Sequence, residues 1–184
     1  MCLGKGLPGR VCRCVATAFL LLSARALRAE EFRLESVGTR FAFSSKKRNS
    51  DMYQTDLTLN ANLPWRWNFN EHWSSQPRLD FSAGWLTGRG DDAGVFNLTP
   101  SFVLHREHIP VSLVAGSGPA LLTKCRFDGL NLGMQFQFAT YAGLDWNIGT
   151  HFRLGYQFQH MSNAGLASPN PGINFHFFAV SYRF

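Results

Sequence analysis

Cysteine, lysine and long apolar runs are all scarce in this sequence once its first 29 residues are set aside. Cys125 is the only cysteine beyond them, which excludes an intramolecular disulfide scaffold. The only lysines there are Lys46, Lys47 and Lys124, all in predicted loops. No segment there reaches the roughly 18 consecutive apolar residues that a transmembrane helix needs. The sequence therefore predicts neither a disulfide-rich module nor a helical membrane protein.

The first 29 residues have the pattern of a secretory signal peptide. The positively charged stretch MCLGKGLPGRVCR precedes the short apolar run CVATAFLLLSA, and small residues follow. Cleavage is expected after Ala29, with Ala26 as the alternative, so that 1–29 is a signal peptide and 30–184 is the exported domain. The leader holds five of the 18 Lys and Arg residues and none of the 12 Asp and Glu residues, which lowers the formal net charge from +6 to +1. This nearly neutral domain gives no support for nucleic-acid binding.

Alternation of apolar and polar residues with period 2 dominates the exported domain and predicts β-strands. It is clearest in YQTDLTLNANLPWRW, where Tyr53, Leu57 and Leu59 share one face and Gln54 and Asp56 share the other. Eight strands are predicted, at 33–44, 53–67, 78–86, 96–104, 110–122, 134–146, 151–162 and 173–184.

The predicted connections alternate in length. NFNEHW, REHI and NIGT are short, whereas SSKKRNSD, TGRGDDAG, TKCRFDGLN and NAGLASPNPG are longer. Such alternation is typical of outer-membrane barrels, in which periplasmic turns are tight and extracellular loops are long. The predicted fold is therefore all-β, an eight-stranded antiparallel transmembrane β-barrel of the outer membrane.

The polar faces of the strands indicate which side of the barrel meets lipid. They contain Asn, Gln, Ser, Thr, Gly, Asp and Arg instead of the Lys and Glu of a solvated surface. This composition suits a narrow hydrogen-bonded lumen, with the apolar faces against lipid. Aromatic residues near strand ends are typical of an interfacial girdle, here Trp65, Trp67, Trp73, Trp85, Trp146 and Tyr182. A soluble, ligand-binding barrel with an apolar interior is the alternative.

The last predicted hairpin sets polar residues on the apolar, outward face. Alternation places His160 and Ser162 on that face of the seventh strand and Asn174 on that face of the eighth. Residues two apart on a strand lie roughly 6.5–7 Å apart on one face, so an imidazole and a serine hydroxyl can meet there. The polar headgroup region of a membrane also accommodates such residues without any catalytic role, and only a third group and its geometry distinguish the two interpretations.

The stretch HMSNAGLASPNPGIN, residues 160–174, closely resembles the active-site segment of the PagL-type lipid A 3-O-deacylases. The resemblance implies an outer-membrane barrel that removes an ester-linked 3-hydroxyacyl chain from the 3-O position of lipid A. It implies that His160 is the base and Ser162 the nucleophile, with an acyl-enzyme on the serine that water then hydrolyses. Asn163 and the backbone N–H near Gly165 are then the expected donors to the oxyanion.

The segment departs from the family pattern at Asn174, where the family has a glutamate. An asparagine can orient a histidine, but it offers no negative charge to the imidazolium. Three alternatives follow: a Ser–His–Asn triad, help from another group, or a chain that has lost activity.

The expected partners are lipid A as substrate and the surrounding outer-membrane lipid, with the active site facing the outer leaflet; dimerisation stays open. Basic loop residues either meet lipid A phosphates or are simply solvated, namely Lys46, Lys47, Arg48, Arg89, Lys124 and Arg126. No residues have the spacing of a zinc or calcium site, so neither a metal nor another cofactor is expected. The alternative function is that of a non-enzymatic small barrel with a structural or adhesive role.

Overall fold

The computed structural model describes four segments of the chain: 32–45, 52–88, 90–127 and 129–184. The predicted signal peptide, the basic residues 46–48 and Arg89 lie outside these segments, so the expectations for them stay predictions. Within the described segments, no helix is long and apolar enough to cross a membrane.

Eleven strands form within the described residues, eight of them long. They are β1 (Arg33–Ser44), β2 (Met52–Asn62), β3 (Trp67–Asn68), β4 (Trp73–Gly88), β5 (Asp91–Arg106), β6 (Val111–Leu122), β7 (Arg126–Phe127), β8 (Leu130–Asn131), β9 (Phe136–Ile148), β10 (Phe152–Ser162) and β11 (Ile173–Arg183).

The eight long strands close into an antiparallel barrel. They follow one another in the order β2, β1, β11, β10, β9, β6, β5 and β4, and β4 pairs with β2. The first and last strands pair from Ser36 opposite Arg183 to Ser44 opposite Phe175. Closure leaves no unpaired sheet edge in the barrel wall. The prediction of an eight-stranded antiparallel barrel is confirmed.

The polar face of each strand points into the barrel and the apolar face points outward. In β2, Gln54 and Asp56 are buried, whereas Tyr53 and Leu57 are 47% and 71% exposed. Trp85, from the predicted aromatic girdle, is 68% exposed. An apolar outer surface over a polar interior is the arrangement of a barrel embedded in lipid. The soluble alternative is wrong, because it requires the apolar side chains to point inward.

Ion pairs fill the middle of the lumen. Arg78 Nη1 donates a hydrogen bond to Asp145 Oδ2 at 2.9 Å, and Arg78 Nε lies 2.6 Å from Asp80 Oδ1. Arg40 Nε donates to Asp56 Oδ2 at 2.8 Å. Charges that have left water need such partners, because a buried charge without one is strongly destabilising.

Apolar side chains fill the lumen at the end that carries residues 163–172, which we call the site end. The hairpin of β7 and β8 contributes to this filling along with the barrel strands. We call the cluster the apolar plug; it consists of Ala42, Met52, Leu86, Ala93, Val95, Ala120, Leu122, Phe127, Leu130, Leu132, Ala139, Met161, Ile173, Phe175 and Phe177. Its close packing holds the ends of β10 and β11 from the inside.

The predicted strand 53–67 is not a single element. β2 ends at Asn62, and the next two-residue strand, Trp67–Asn68, pairs with β4 instead. Pro64 lies between them and has no N–H to donate to a ladder, so the strand ends before it.

The predicted long loop at 87–94 is mostly strand. β4 and β5 remain paired as far as Gly88 opposite Asp91, and the turn between them contains Gly90 with φ +79°. A residue with positive φ allows a tight hairpin turn, and glycine adopts that conformation without steric penalty. The prediction of a long connection here is therefore wrong.

Candidate active site on the outer wall

The ends of β10 and β11 hold the three predicted catalytic residues together on the outer wall. His160 lies opposite Asn174 in the ladder, and Ser162 is two residues further along the same strand. His160 is exposed, whereas Ser162 and Asn174 are half-buried. Met161 and Ile173, on the alternate face, belong to the apolar plug. The site is thus built on two packed strands instead of on a loose loop.

A short hydrogen bond orients the histidine. His160 Nδ1 lies 2.6 Å from Asn174 Oδ1. An amide oxygen only accepts, so this contact assigns the ring proton to Nδ1 and leaves a lone pair on Nε2. Ser162 Oγ has no hydrogen-bond partner among the described residues, so its hydroxyl is free to turn toward that lone pair. Contacts between a nucleophile and its base are often looser without substrate.

Gly172 packs directly against the imidazole. Its φ is +61°, and a Cβ built there would lie 2.7 Å from His160 Cε1 and 3.3 Å from His160 Nε2. Only glycine fits at this position while the ring keeps its orientation. Sequence analysis missed Gly172 as a site residue. The available signal was the Pro-Gly pair directly before the last strand, which is typical of a turn.

Asn163 organises the loop that follows β10. Its side chain is 0% exposed. Nδ2 donates to the carbonyl oxygens of Leu132, Ala167 and Pro169 at 3.0, 2.9 and 3.2 Å, and Oδ1 accepts from the Gly165 N–H at 2.9 Å. Both donors expected at the oxyanion are therefore engaged with other groups of the protein. This differs from the prediction, because an amide whose protons already meet three carbonyl oxygens has none left for a substrate.

Hydroxyl groups extend the polar surface across the neighbouring strands. Thr140 of β9 lies opposite His160, and Ser117 of β6 lies opposite Thr140. The two hydroxyl oxygens are 2.7 Å apart, and both residues are exposed. Together with His160 and Asn174, these two residues form a polar row over four adjacent strands. Sequence analysis missed Ser117 and Thr140, because only the register of β6 and β9 against β10 brings them beside the histidine.

A second histidine on this wall is enclosed by aromatic rings. His176 Nδ1 lies 2.8 Å from the hydroxyl oxygen of Tyr156. The rings of Phe43 and Phe158 lie 5.4 and 5.2 Å from its ring. This packing distinguishes His176 from His160, which contacts an amide and a glycine.

The described residues contain no group of three or more His, Cys, Asp and Glu side chains arranged to hold a metal ion. Among the basic loop residues of the sequence prediction, Lys124 forms an ion pair with Asp91, and Arg126 is exposed.

The family model described as Lipid A 3-O-deacylase (PagL) matches residues 54–183. The matched region is more than half of the chain and contains His160, Ser162 and Asn174. The chain belongs to the lipid A 3-O-deacylase family.

Individual relatives agree with this assignment. The chain is 28% identical over 148 residues to the lipid A deacylase PagL of Bordetella bronchiseptica, covering 73% of this chain and 78% of that protein. It is 30% identical over 128 residues to the lipid A deacylase PagL of Pseudomonas aeruginosa, covering 65% of this chain and 74% of that protein. The fold is similar to a crystal structure of the outer membrane enzyme PagL, with a TM-score of 0.66 and 19% identity over 80% of this chain and 97% of the other.

Membership of the lipid A 3-O-deacylase family makes this protein a hydrolase of ester bonds that acts on lipid A. The apolar outer wall of the barrel and the PagL relatives place it in the outer membrane. The predicted family, the predicted enzyme class and the predicted location in the outer membrane are thereby confirmed.

Proposed function

We propose that the protein removes the ester-linked 3-hydroxyacyl chain at the 3-O position of lipid A by nucleophilic catalysis, with Ser162 as nucleophile and His160 as base. The observation that carries this proposal is the 2.6 Å contact between His160 Nδ1 and Asn174 Oδ1. It holds the imidazole in the tautomer whose Nε2 can accept the serine proton.

The reaction proceeds in two halves. Ser162 Oγ attacks the ester carbonyl carbon while His160 Nε2 takes the hydroxyl proton. The tetrahedral intermediate then breaks its bond to the sugar oxygen, and His160 returns the proton to that oxygen as the 3-hydroxyl leaves. Water attacks the remaining acyl ester on Ser162 with His160 again as base. This step releases a free hydroxy fatty acid and restores the serine.

Asn174 is the third member of the triad in this proposal. An asparagine in this role has a precedent in Cys–His–Asn proteases, where it orients the imidazole without adding charge. Asn174 lies opposite His160 in the β10–β11 ladder, and this register sets the distance between the two side chains. Of the three alternatives that the sequence left, the Ser–His–Asn triad fits this geometry best.

Backbone amides of the loop after Ser162 are the proposed donors to the oxyanion, in place of the Asn163 side chain. Ala164 and Gly165 have consecutive positive φ values of +54° and +80°. Consecutive residues of unusual conformation turn backbone N–H groups toward a common side, which suits a negatively charged oxygen. The Asn163 side chain holds this loop in place through its hydrogen bonds to Ala167, Pro169 and Gly165. The Gly165 N–H can donate to the oxyanion when it exchanges its bond to Asn163 Oδ1 for one to the substrate.

We place the active site in the outer leaflet, where lipid A resides. His160 and Ser162 lie on the outside of the barrel, so an acyl ester reaches them by diffusing sideways within the membrane. A site in the lumen would have no room for a lipid, since side chains fill an eight-stranded barrel. In this orientation the site end faces the cell exterior and the end with Phe184 faces the periplasm.

Mass spectrometry of lipid A from cells that express the protein tests the proposal. The wild type should release one hydroxyacyl mass from lipid A, and Ser162→Ala should leave lipid A unchanged. Thr55→Val, a substitution of an exposed hydroxyl residue on β2, is the matched control and should behave as the wild type. Heat-modifiable mobility of each barrel shows that it is folded. Unchanged lipid A with a folded wild type would contradict the proposal and favour the non-enzymatic barrel, and activity in Ser162→Ala would exclude this serine as nucleophile.

A further inference from the structure

The loop that carries the proposed oxyanion donors contacts the rest of the barrel through one hydrogen bond besides its two covalent ends. Of the hydrogen bonds described for residues 163–170, only the bond from Asn163 Nδ2 to the carbonyl oxygen of Leu132, at 3.0 Å, reaches outside this segment. The others join residues of the segment to one another. The position of the loop relative to Ser162 therefore depends on where the Leu132 carbonyl lies.

The short hairpin of β7 and β8 holds that carbonyl in place. Phe127, Leu130 and Leu132 are buried and belong to the apolar plug. The Leu132 N–H donates to the carbonyl oxygen of Cys125 at 2.8 Å, which closes the base of the hairpin. Side chains in a close-packed interior resist displacement. The hairpin is therefore a firm support for the loop that follows β10.

A turn at Gly133 brings this support against the loop. Asn131 Oδ1 accepts a hydrogen bond from the Gly133 N–H at 2.9 Å, which forms an Asx turn. Gly133 has φ +82°, a conformation that favours glycine. A Cβ built there would overlap the carbonyl oxygen of Pro169 and would lie 2.7 Å from Asn163 Nδ2. The loop thus packs directly on the bare Cα of Gly133.

We infer that residues 131–133, which we call the loop seat, position the oxyanion donors for catalysis, and that Gly133 is required there because a side chain would displace the loop. This inference rests on the proposed function. The loop seat acts through Asn163, whose Oδ1 accepts a hydrogen bond from the Gly165 N–H at 2.9 Å. Oxyanion donors act only over a narrow range of distances, so a small displacement lowers the rate of each turnover.

The loop has no flexible group at this contact that could move aside. One neighbour of Gly133 is the backbone oxygen of Pro169, and the other is an amide that already donates to three carbonyl oxygens. Ser162, in contrast, is held by β10, whose neighbouring residue Met161 belongs to the apolar plug. A methyl group on residue 133 would therefore move the donors while the nucleophile stays in place.

Gly133→Ala tests the loop seat in lipid A deacylation by the purified full-length protein in detergent micelles. The variant should have a kcat at least about tenfold below that of the wild type and a KM within about twofold of it, because loss of an entire oxyanion donor lowers kcat about a hundredfold or more. Gly90→Ala is the matched control. Gly90 also has a positive φ, +79°, but nothing lies within 4 Å of its Cβ position, so kcat should stay at the wild-type value.

A fluorophosphonate distinguishes slow sites from missing sites. Its phosphorus forms a bond to Ser162 Oγ as fluoride leaves and the serine proton passes to His160, so the final labelled fraction counts the competent sites. Gly133→Ala should reach the wild-type labelled fraction at least about tenfold more slowly, because the phosphoryl oxygen occupies the position of the oxyanion. A lower labelled fraction at the wild-type rate would show that the substitution only impairs folding, and it would overturn the inference.

The pH dependence of kcat distinguishes the loop from the histidine. The pH of half-maximal kcat should be the same in Gly133→Ala and the wild type, because the contact between His160 and Asn174 belongs to the β10–β11 ladder and lies outside the displaced segment. A shifted midpoint would assign the loss to the histidine and overturn the inference.

Asn131 allows a test with a conservative variant. Asn131→Ala removes the acceptor of the Gly133 N–H and should lower kcat about threefold, the effect of one modest hydrogen bond. Asn131→Asp should retain the wild-type kcat, because asparagine and aspartate form the same turn. Equal values of kcat in the two variants would overturn the role of Asn131 in the loop seat.

The remaining outcomes separate this inference from the proposed function. A wild-type kcat in Gly133→Ala, an equal loss in Gly133→Ala and Gly90→Ala, or a change in KM alone overturns the inference while the esterase stands. A folded wild type that neither deacylates lipid A nor reacts with the fluorophosphonate overturns the proposed function and this inference with it.

Discussion

Polar side chains in the lumen and polar side chains on the outer wall have opposite hydrogen-bonding environments. In the lumen, Arg78 contacts two carboxylates, those of Asp80 and Asp145. On the wall, His160 Nδ1 contacts the Asn174 amide oxygen, and Ser162 Oγ has no described partner. The charged lumen groups pair with one another and stabilise the barrel, whereas wall groups keep the capacity to bind and react. Polarity alone does not distinguish the two regions; the number of partners does.

Arg78→Met should have the largest effect on stability, because it removes the cation between Asp80 and Asp145 and leaves Asp145 with only the more distant Arg153, at 3.8 Å. Removing one partner of a buried ion pair costs about 3–5 kcal/mol. Urea unfolding of the barrel in lipid vesicles measures this loss, and deacylation by the remaining folded protein should be unchanged. Arg66→Met is the matched control, since Arg66 is exposed and donates to Ser74 Oγ, and it should change stability by less than about 1 kcal/mol. A loss of activity in folded Arg78→Met would show that the lumen and the site are coupled.

Gly172→Ala should have the opposite effect to Arg78→Met: it should lower the rate of deacylation more than it lowers the stability of the barrel. The added methyl group would occupy space that His160 Cε1 now fills, and the displaced imidazole should lower the rate of lipid A deacylation about a hundredfold. Gly149→Ala is the control, because Gly149 has φ +62° and nothing within 4 Å of its Cβ position. It carries the same backbone strain without a clash and should retain activity. Equal losses in both variants would assign the effect to backbone strain instead of the histidine.

Asn174→Asp should have the smallest effect, an increase. The substitution keeps the side-chain length and replaces the neutral acceptor of His160 Nδ1 with a charged one. Hydrogen bonds to charged groups are stronger by about 1 kcal/mol, so kcat for deacylation should rise about fivefold. Asn170→Asp adds the same charge to the loop just before β11 without a described contact to His160, and it should give no increase. A slower Asn174→Asp variant would show that the neutral amide is itself required.

The barrel could be predicted from the sequence because apolar and polar residues alternate with period 2 along each strand. The strand starting at residue 33 and those ending at 162 and 183 were placed within a residue or so of their observed bounds. Boundaries failed where alternation continued past the structural end, as at Pro64, and where strand pairing continued beyond the predicted strands, as in the hairpin at Gly90. Periodicity reports which face is apolar, but it does not report where pairing stops.

The site was predictable as far as it lies within one continuous segment. His160, Ser162 and Asn174 are close in the sequence, and a hairpin brings them together without knowledge of the remaining fold. The pairing of Thr140 with Ser117 depends on the register of three strands, which a one-residue shift would change. The contacts of Asn163 with Leu132 depend on a loop that is distant in sequence. Residues that reach the site through tertiary structure could not be read from the local pattern.

The apolar plug has a consequence for the permeability of the cell envelope. A lumen filled by Phe175, Phe177 and their neighbours offers ions no continuous path of water between the two ends of the barrel. A planar bilayer that contains the folded protein should therefore show no electrical conductance. Cells can thus accumulate many copies of this esterase in the outer membrane without opening that membrane to small toxic solutes.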